Sequence, residues 1–231
     1  MVKVRLTEDY KPKVIIMGFR GIGQVGYISI NYLIEKLNMK RIGIVETTYA
    51  PPIVNVTETG LSYPIELYGY KELGIIKIED IPINKIGAYI LREIIKWLKT
   101  IKIDRLILIG GLVSSLKEGD DDTSRIVYNS YWREKVDMKY TQKDVRVLGP
   151  LAYALYYSEI YGVPALAILS YASSEQPIDP RGSYFALEAL KKLVDIEVDT
   201  QELLERADEM EEKFAQFLQE IEEPKHKEMY T

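Results

Sequence analysis

The sequence predicts an α/β chain built on a doubly wound, mostly parallel sheet. Three observations lead there. Short β-branched apolar runs recur at Lys13–Gly18, Arg105–Ile109 and Ala165–Leu169, too apolar to be half-solvated strands. Helical patterns alternate with them. The turn after the first run carries Gly21, Gly23 and Gly26, a spacing suited to a tight strand-to-helix passage.

In chain order, Lys-Val-Ile-Ile-Met-Gly at 13–18 is the first buried strand. A helix then extends to about Asn38, and Arg41–Thr48 is the next strand of a βαβ unit. Tyr63–Tyr68 and Gly74–Glu79 are strand-like runs with turn residues between, read as a meander or hairpin on a sheet edge. Ile83–Ile101 is an amphipathic helix with Ile90, Leu91, Ile94, Ile95 and Leu98 on one face. The strand Arg105–Ile109 closes at Gly110-Gly111, read as the turn leaving it, and a polar loop follows over Ser114–Ser124. Val145–Leu148 reads as a short strand, Leu151–Tyr161 as a helix stopped by Gly162, and Ala165–Leu169 as another strand. Asp179 is the N-cap of a helix with Pro180 at its first position.

The segment Thr200–Glu223 has a separate character. Leu203, Ala207, Met210, Phe214, Phe217 and Ile221 are spaced 4, 3, 4, 3, 4, an a/d seam, with glutamates crowding the other faces. Such a stripe packs either on its own domain or against another subunit. Pro224 ends this helix, and the residues after it form a polar tether. The expected divisions are an α/β domain over 1–198, an amphipathic helix over 199–223 and a flexible tail over 224–231.

Composition narrows the chemistry. The chain has 231 residues, 47% of them apolar, and a net charge of −5, which disfavours nucleic acid and anionic membrane as main partners. No run approaches the ~18 apolar residues of a membrane span. There is no cysteine, so disulfides, thiolate zinc sites and a cysteine nucleophile are excluded; a reducing cytoplasm fits. The one histidine, His226, lies in the polar tail, which removes serine–histidine triads and most catalytic zinc sites from the folded body. No cofactor or metal is expected. The Ile-, Lys- and Glu-rich composition resembles that of thermophile proteins.

Five patterns carry possible function. Gly21-Ile22-Gly23-Gln24-Val25-Gly26 matches the dinucleotide fingerprint, and Glu46 stands about 20 residues on, where a ribose-binding acid would be. The same glycines also serve a helix packed tightly on a sheet with no ligand. Gly110-Gly111-Leu112-Val113-Ser114-Ser115 lacks both a nucleophile elbow and a usable histidine. Asp120-Asp121-Asp122 with Glu118 lacks EF-hand spacing and reads as a solvated acidic loop. Finally, 18 tyrosines outnumber 4 phenylalanines; Tyr128, Tyr131, Trp132 and Tyr140, then Tyr153, Tyr156, Tyr157 and Tyr161, suit an oligomer surface or a tyrosine-rich core rim. The chain ends Met229-Tyr230-Thr231, an apolar residue and an aromatic ring before a free carboxylate, suited to capture in a groove.

Taken together, the stretches Met17–Gly26, Leu108–Gly111, Gly149-Pro150-Leu151, Gly162–Ala165 and Asp179-Pro180, in this order, resemble the proteasome assembly chaperone family, particularly its archaeal members. The resemblance implies a phosphorylase-like α/β sandwich, a homo-oligomer (trimer or tetramer) and no enzymatic activity. It also implies a partner, the proteasome core particle. The tail is similar to the hydrophobic–tyrosine–X signature of proteasome activators, which enters pockets between α-subunits. Met229 would be the apolar anchor, Tyr230 the ring and Thr231 the carboxylate donor, meeting a lysine. No Walker A motif is present, so an ATP-driven unfoldase is excluded. The competing expectations are an NAD-type nucleotide-binding enzyme using Gly21–Gly26 with Glu46, and, by fold analogy alone, a nucleoside hydrolase or phosphorylase.

Overall fold

The computed structural model describes residues 1–57, 60–173 and 177–227, with residue 215 and residues 217–227 described by backbone alone. The elements are β1 (Val2–Leu6), β2 (Val14–Gly18), α1 (Val25–Lys36), β3 (Lys40–Thr47), β4 (Asn55–Thr57), β5 (Gly60–Ser62), β6 (Ile65–Tyr70), β7 (Leu73–Ile78), α2 (Lys85–Ile101), β8 (Arg105–Val113), β9 (Ser124–Tyr128), α3 (Gly149–Tyr161), β10 (Ala165–Ala172), α4 (Pro180–Lys191) and α5 (Gln201–Lys227). Eight strands form one sheet in the order β1-β3-β6-β7-β2-β8-β10-β9. The centre, β7-β2-β8-β10, is parallel, and the remaining pairs are antiparallel. β4 and β5 form a separate two-stranded hairpin.

All five residues of β2 and all eight of β10 are buried, as expected of strands covered on both faces. One apolar layer joins Ile15, Met17, Leu106 and Leu108 to Ile90, Leu91, Ile94 and Ile95 of α2 and to Leu151 and Ala154 of α3. On the opposite face Ile16, Ile107 and Ile109 meet Ile30 and Leu33 of α1, Leu187 and Leu190 of α4, and Leu203 of α5. The alternation of these strand residues between the two layers is the period-2 geometry of a pleated strand.

Helix ends follow local chemistry. Asn84 caps α2 by accepting from the Ile86 N–H at 2.8 Å, and Asp179 caps α4 by accepting from the Gly182 N–H at 2.8 Å. Gly162, at φ 67°, takes the left-handed conformation that ends α3.

Several expectations change. The hairpin of β6 and β7 lies inside the sheet between β3 and β2, not on an edge, because β7 pairs in parallel with β2. Gly110 and Gly111 continue β8. A Cβ on Gly111 would lie 2.2 Å from the Ile22 carbonyl oxygen, so the glycine admits a neighbouring backbone and does not make a turn. Val145–Leu148 has no strand partner among the described residues: it alternates half-buried Val145 and Val147 with exposed Arg146 and Leu148 along the molecular surface. β1 and β9, neither of them predicted as a strand, fill the two sheet edges. Asp122 is buried against Arg125, whereas Asp120 and Asp121 are exposed. α5 runs through Pro224 to Lys227; in a last turn, proline removes one backbone hydrogen bond and leaves the rest of the ladder intact.

Candidate functional site

Connections leave β2 and β8 in opposite directions. β2 leads through α1 on one face toward β3, whereas β8 reaches β10 after α3 on the other face. The carboxyl ends of these adjacent strands therefore form a topological switch point, the usual place for a crevice in an open α/β sheet. A cavity of about 360 Å³ lies there. Its walls are the segment after β2 (Phe19–Ile22), the end of β8 (Ile109–Leu112), and the unpaired run 145–148 with the start of α3.

The glycines at this point pack protein on protein. A Cβ on Gly18 would fall 2.1 Å from the Gly26 carbonyl oxygen, and one on Gly26 would fall 2.2 Å from that of Ile109. Gly23, at φ 57°, has the Cβ atoms of Ala172 and Asp179 within 2.8 Å of where its own would be. The positions that a dinucleotide fingerprint reserves for pyrophosphate are thus taken by β8, β10 and the start of α4. Gly21 differs, since a Cβ there meets nothing within 4 Å.

Glu46 is not brought to this loop. β7 and β6 separate β2 from β3, which places Glu46 three strand spacings away, on the order of 14 Å. There the exposed Glu46 carboxylate pairs with Arg5, and the Arg5 hydrogen bond holds its pKa below the ordinary value.

A charged network borders the cavity. Arg20 donates from Nε to the Glu79 carbonyl at 2.8 Å and from Nη1 to Gln24 Oε1 at 2.8 Å, and its guanidinium lies 3.7 Å from the centre of the Tyr27 ring. Tyr27 donates to Glu79 Oε2 at 2.6 Å, and Lys77 Nζ lies 2.6 Å from Glu79 Oε1. Burial alone would raise the Glu79 carboxyl; the hydrogen bonds from Lys77 and Tyr27, with the Lys77 and Arg20 charges, outweigh it and bring the pKa below the ordinary range. Burial, then the bond to Glu79, pushes the Tyr27 hydroxyl up to about 12. Every carboxylate oxygen here is engaged with the protein, so the network holds the loops after β2 and β7 together.

The second buried network joins Arg125 to both oxygens of Asp122, at 2.8 and 2.6 Å, and to Glu118 at 2.6 Å, with Tyr171 donating to Asp122 at 3.0 Å. It pins the acidic loop to β9 and β10. Among the described residues no group of three or more His, Cys, Asp or Glu is placed to hold a metal ion, and no helix is long and apolar enough to cross a membrane.

The predicted seam of α5 divides along its length. Leu203 and Ala207 are buried on the body, Met210 is half-buried and Phe214 is 41% exposed. Arg181 of α4 ties the helix down through Asp208 at 2.6 Å and Glu211 at 3.0 Å. The side chains of Phe217 and Ile221, and the tail Met229, Tyr230 and Thr231, lie outside the described residues. Of the tyrosines, Tyr128, Tyr131, Tyr140 and Tyr156 are exposed, and Tyr128 meets Tyr140 edge-to-face at 5.3 Å.

Sequence reasoning missed Arg146, Ile83 and Leu148 at the cavity. The signal was present in Val145-Arg146-Val147-Leu148, whose alternation reflects half-burial against the cavity and not a ladder.

Comparison with known proteins places this architecture. An uncharacterised protein of Methanocaldococcus jannaschii is 27% identical over 212 residues, covering 89% of this chain and 85% of its own length. PbaA of Pyrococcus furiosus, an archaeal homologue of proteasome-assembly chaperone, superposes with a TM-score of 0.78 at 23% identity, covering 100% of this chain and 99% of that one. PbaB of the same organism, an archaeal proteasome activator, gives a TM-score of 0.72 at 19% identity, with 94% and 98% covered. These structural likenesses establish a shared fold. The PAC2 family pattern matches residues 15–218, from the first central strand into α5, and the chain belongs to the PAC2 family.

Proposed function

We propose that this chain is an ATP-independent proteasome partner, an assembly chaperone, an activator or both, and not an enzyme. The observation that carries this reading is the near-complete coverage of the PbaA and PbaB folds by a PAC2 chain that ends in Met-Tyr-Thr. The docking element is Met229-Tyr230-Thr231, inserted between α-subunits of the core particle, with the terminal carboxylate meeting a cation. The course of α5 supports this arrangement. A 27-residue helix is about 40 Å long, and its side chains turn from buried at Leu203 to exposed at Phe214.

A three-residue anchor binds weakly alone, so several tails on one homo-oligomer, a trimer or tetramer, would gain by effective concentration. The seam from Met210 through Phe214 and Phe217 to Ile221 would supply the contact between copies.

The experiment is a pull-down and peptide-hydrolysis assay with purified core particle, comparing the full chain with one ending at Glu228. The expected result is binding by the full chain and none by the truncation, with unchanged melting temperature. Binding retained by the truncation overturns the docking role of the tail. The nucleotide-binding reading gains no support from geometry, because Gly23 and Gly26 are filled by protein and Glu46 lies elsewhere.

A further inference from the structure

We infer that the switch-point cavity is a binding site for a small apolar carboxylic acid, an aliphatic or aromatic monocarboxylate. The cavity's size falls in the lower part of the ~300–1,000 Å³ range of small-molecule sites. Its lining is almost wholly aliphatic and aromatic, with buried Phe19, Leu112 and Leu169 inside and exposed Ile83 and Leu148 at the mouth. Apolar side chains 74% and 76% exposed beside an open cavity are the groups that an apolar ligand would remove from water.

The head group follows from the charges. Among the described residues two ionisable side chains line the cavity, both arginines. Arg20 is held by Glu79, Gln24 and Tyr27. Arg146 is exposed and makes no hydrogen bond or ion pair with the described residues. Among the described residues no carboxylate lines the cavity to compete for it. A planar guanidinium beside an apolar chamber selects a ligand with an apolar body and one carboxylate, which it can hold by two parallel hydrogen bonds. The occupant is therefore a free acid, bound tail inward, independent of any role of the chain's own terminus.

The test is titration of the full ¹⁵N-labelled chain with octanoate, followed through glycine amides. Gly21, Gly110, Gly111 and Gly149 line the cavity, whereas Gly74 packs against Pro12 and Ile15 elsewhere and serves as an internal control. The expected result is saturable shifts of the four cavity glycines with Gly74 unmoved. Arg146→Glu should weaken octanoate about tenfold or more, as loss of a charge-assisted pair implies, and leave octanol binding unchanged. Because Arg146 is exposed, the variant keeps the fold, checked by its unperturbed Gly74 signal. The inference is overturned by absent or non-saturable shifts at millimolar octanoate, by shifts centred on other residues, or by equal octanoate affinity in Arg146→Glu. A synthetic Lys-Glu-Met-Tyr-Thr peptide that binds the same glycines more tightly than octanoate also overturns it, in favour of a peptide-terminus site.

Discussion

The carbonyl oxygen of Ile109 lies where a side chain on Gly26 would begin, 2.2 Å from the position of its Cβ. This contact seats the first turn of α1 directly on β8. Gly26→Ala must therefore move a helix off a sheet, and the expected loss is at least 1–3 kcal/mol, or several degrees of melting temperature for a chain of this size. Gly21→Ala, with open space and an extended φ of −164°, should stay within about 0.5 kcal/mol of the parent. Thermal denaturation of the two variants checks this. A site built for pyrophosphate would also be harmed at Gly21.

Glu79 makes stability depend on acid. Its folded pKa lies below the unfolded value of about 4.3. Its contribution is thus fully present above that pH and lost as pH falls through the lowered folded value. Denaturant titrations from pH 6 to 3 should show the parent more stable than Glu79→Gln at pH 6, with the gap closing below about pH 4. A constant gap would assign the effect to packing alone.

Asp122 and Arg125 form a buried pair, and removing Asp122 takes two hydrogen bonds from Arg125 while Glu118 keeps it partnered. Asp122→Ala should cost about 1.5–3 kcal/mol, measured by urea denaturation, and should loosen the loop around Glu118. The double replacement of Asp122 and Arg125 by apolar residues should recover a large part of that loss.

Leu203 is 1% exposed and Phe214 is 41% exposed on the same helix. Leu203→Ala should cost about 2–5 kcal/mol, seen as a lowered melting temperature. Phe214→Asp should leave the melting temperature of the isolated subunit nearly unchanged and, on the homo-oligomer proposed above, give smaller species than the parent in sedimentation. A destabilised fold with unchanged assembly would place Phe214 in an intrachain contact.

Burial was legible in the sequence wherever a local pattern carries it, but segment ends were less so: Gly110-Gly111 continue β8, and α5 runs past Pro224. β2, β8 and β10 are legible because a strand covered on both faces must be apolar at every position. α2 is legible from the apolar face of Ile90, Leu91, Ile94, Ile95 and Leu98, and α4 because capping by Asp179 is local chemistry between residues three apart. The family was legible because its glycines stand where backbones touch. The order of the strands emerges only in the folded chain, since pairing joins residues far apart and no local pattern encodes it. That order put β6 and β7 inside the sheet and moved Glu46 away from the glycine loop. It also brought Arg125 to Asp122, and Arg146 to the ends of β2 and β8. A glycine's spacing cannot tell a ligand from a neighbouring carbonyl, because both demand only the absence of a Cβ; the packing of Gly26 on Ile109 makes that distinction.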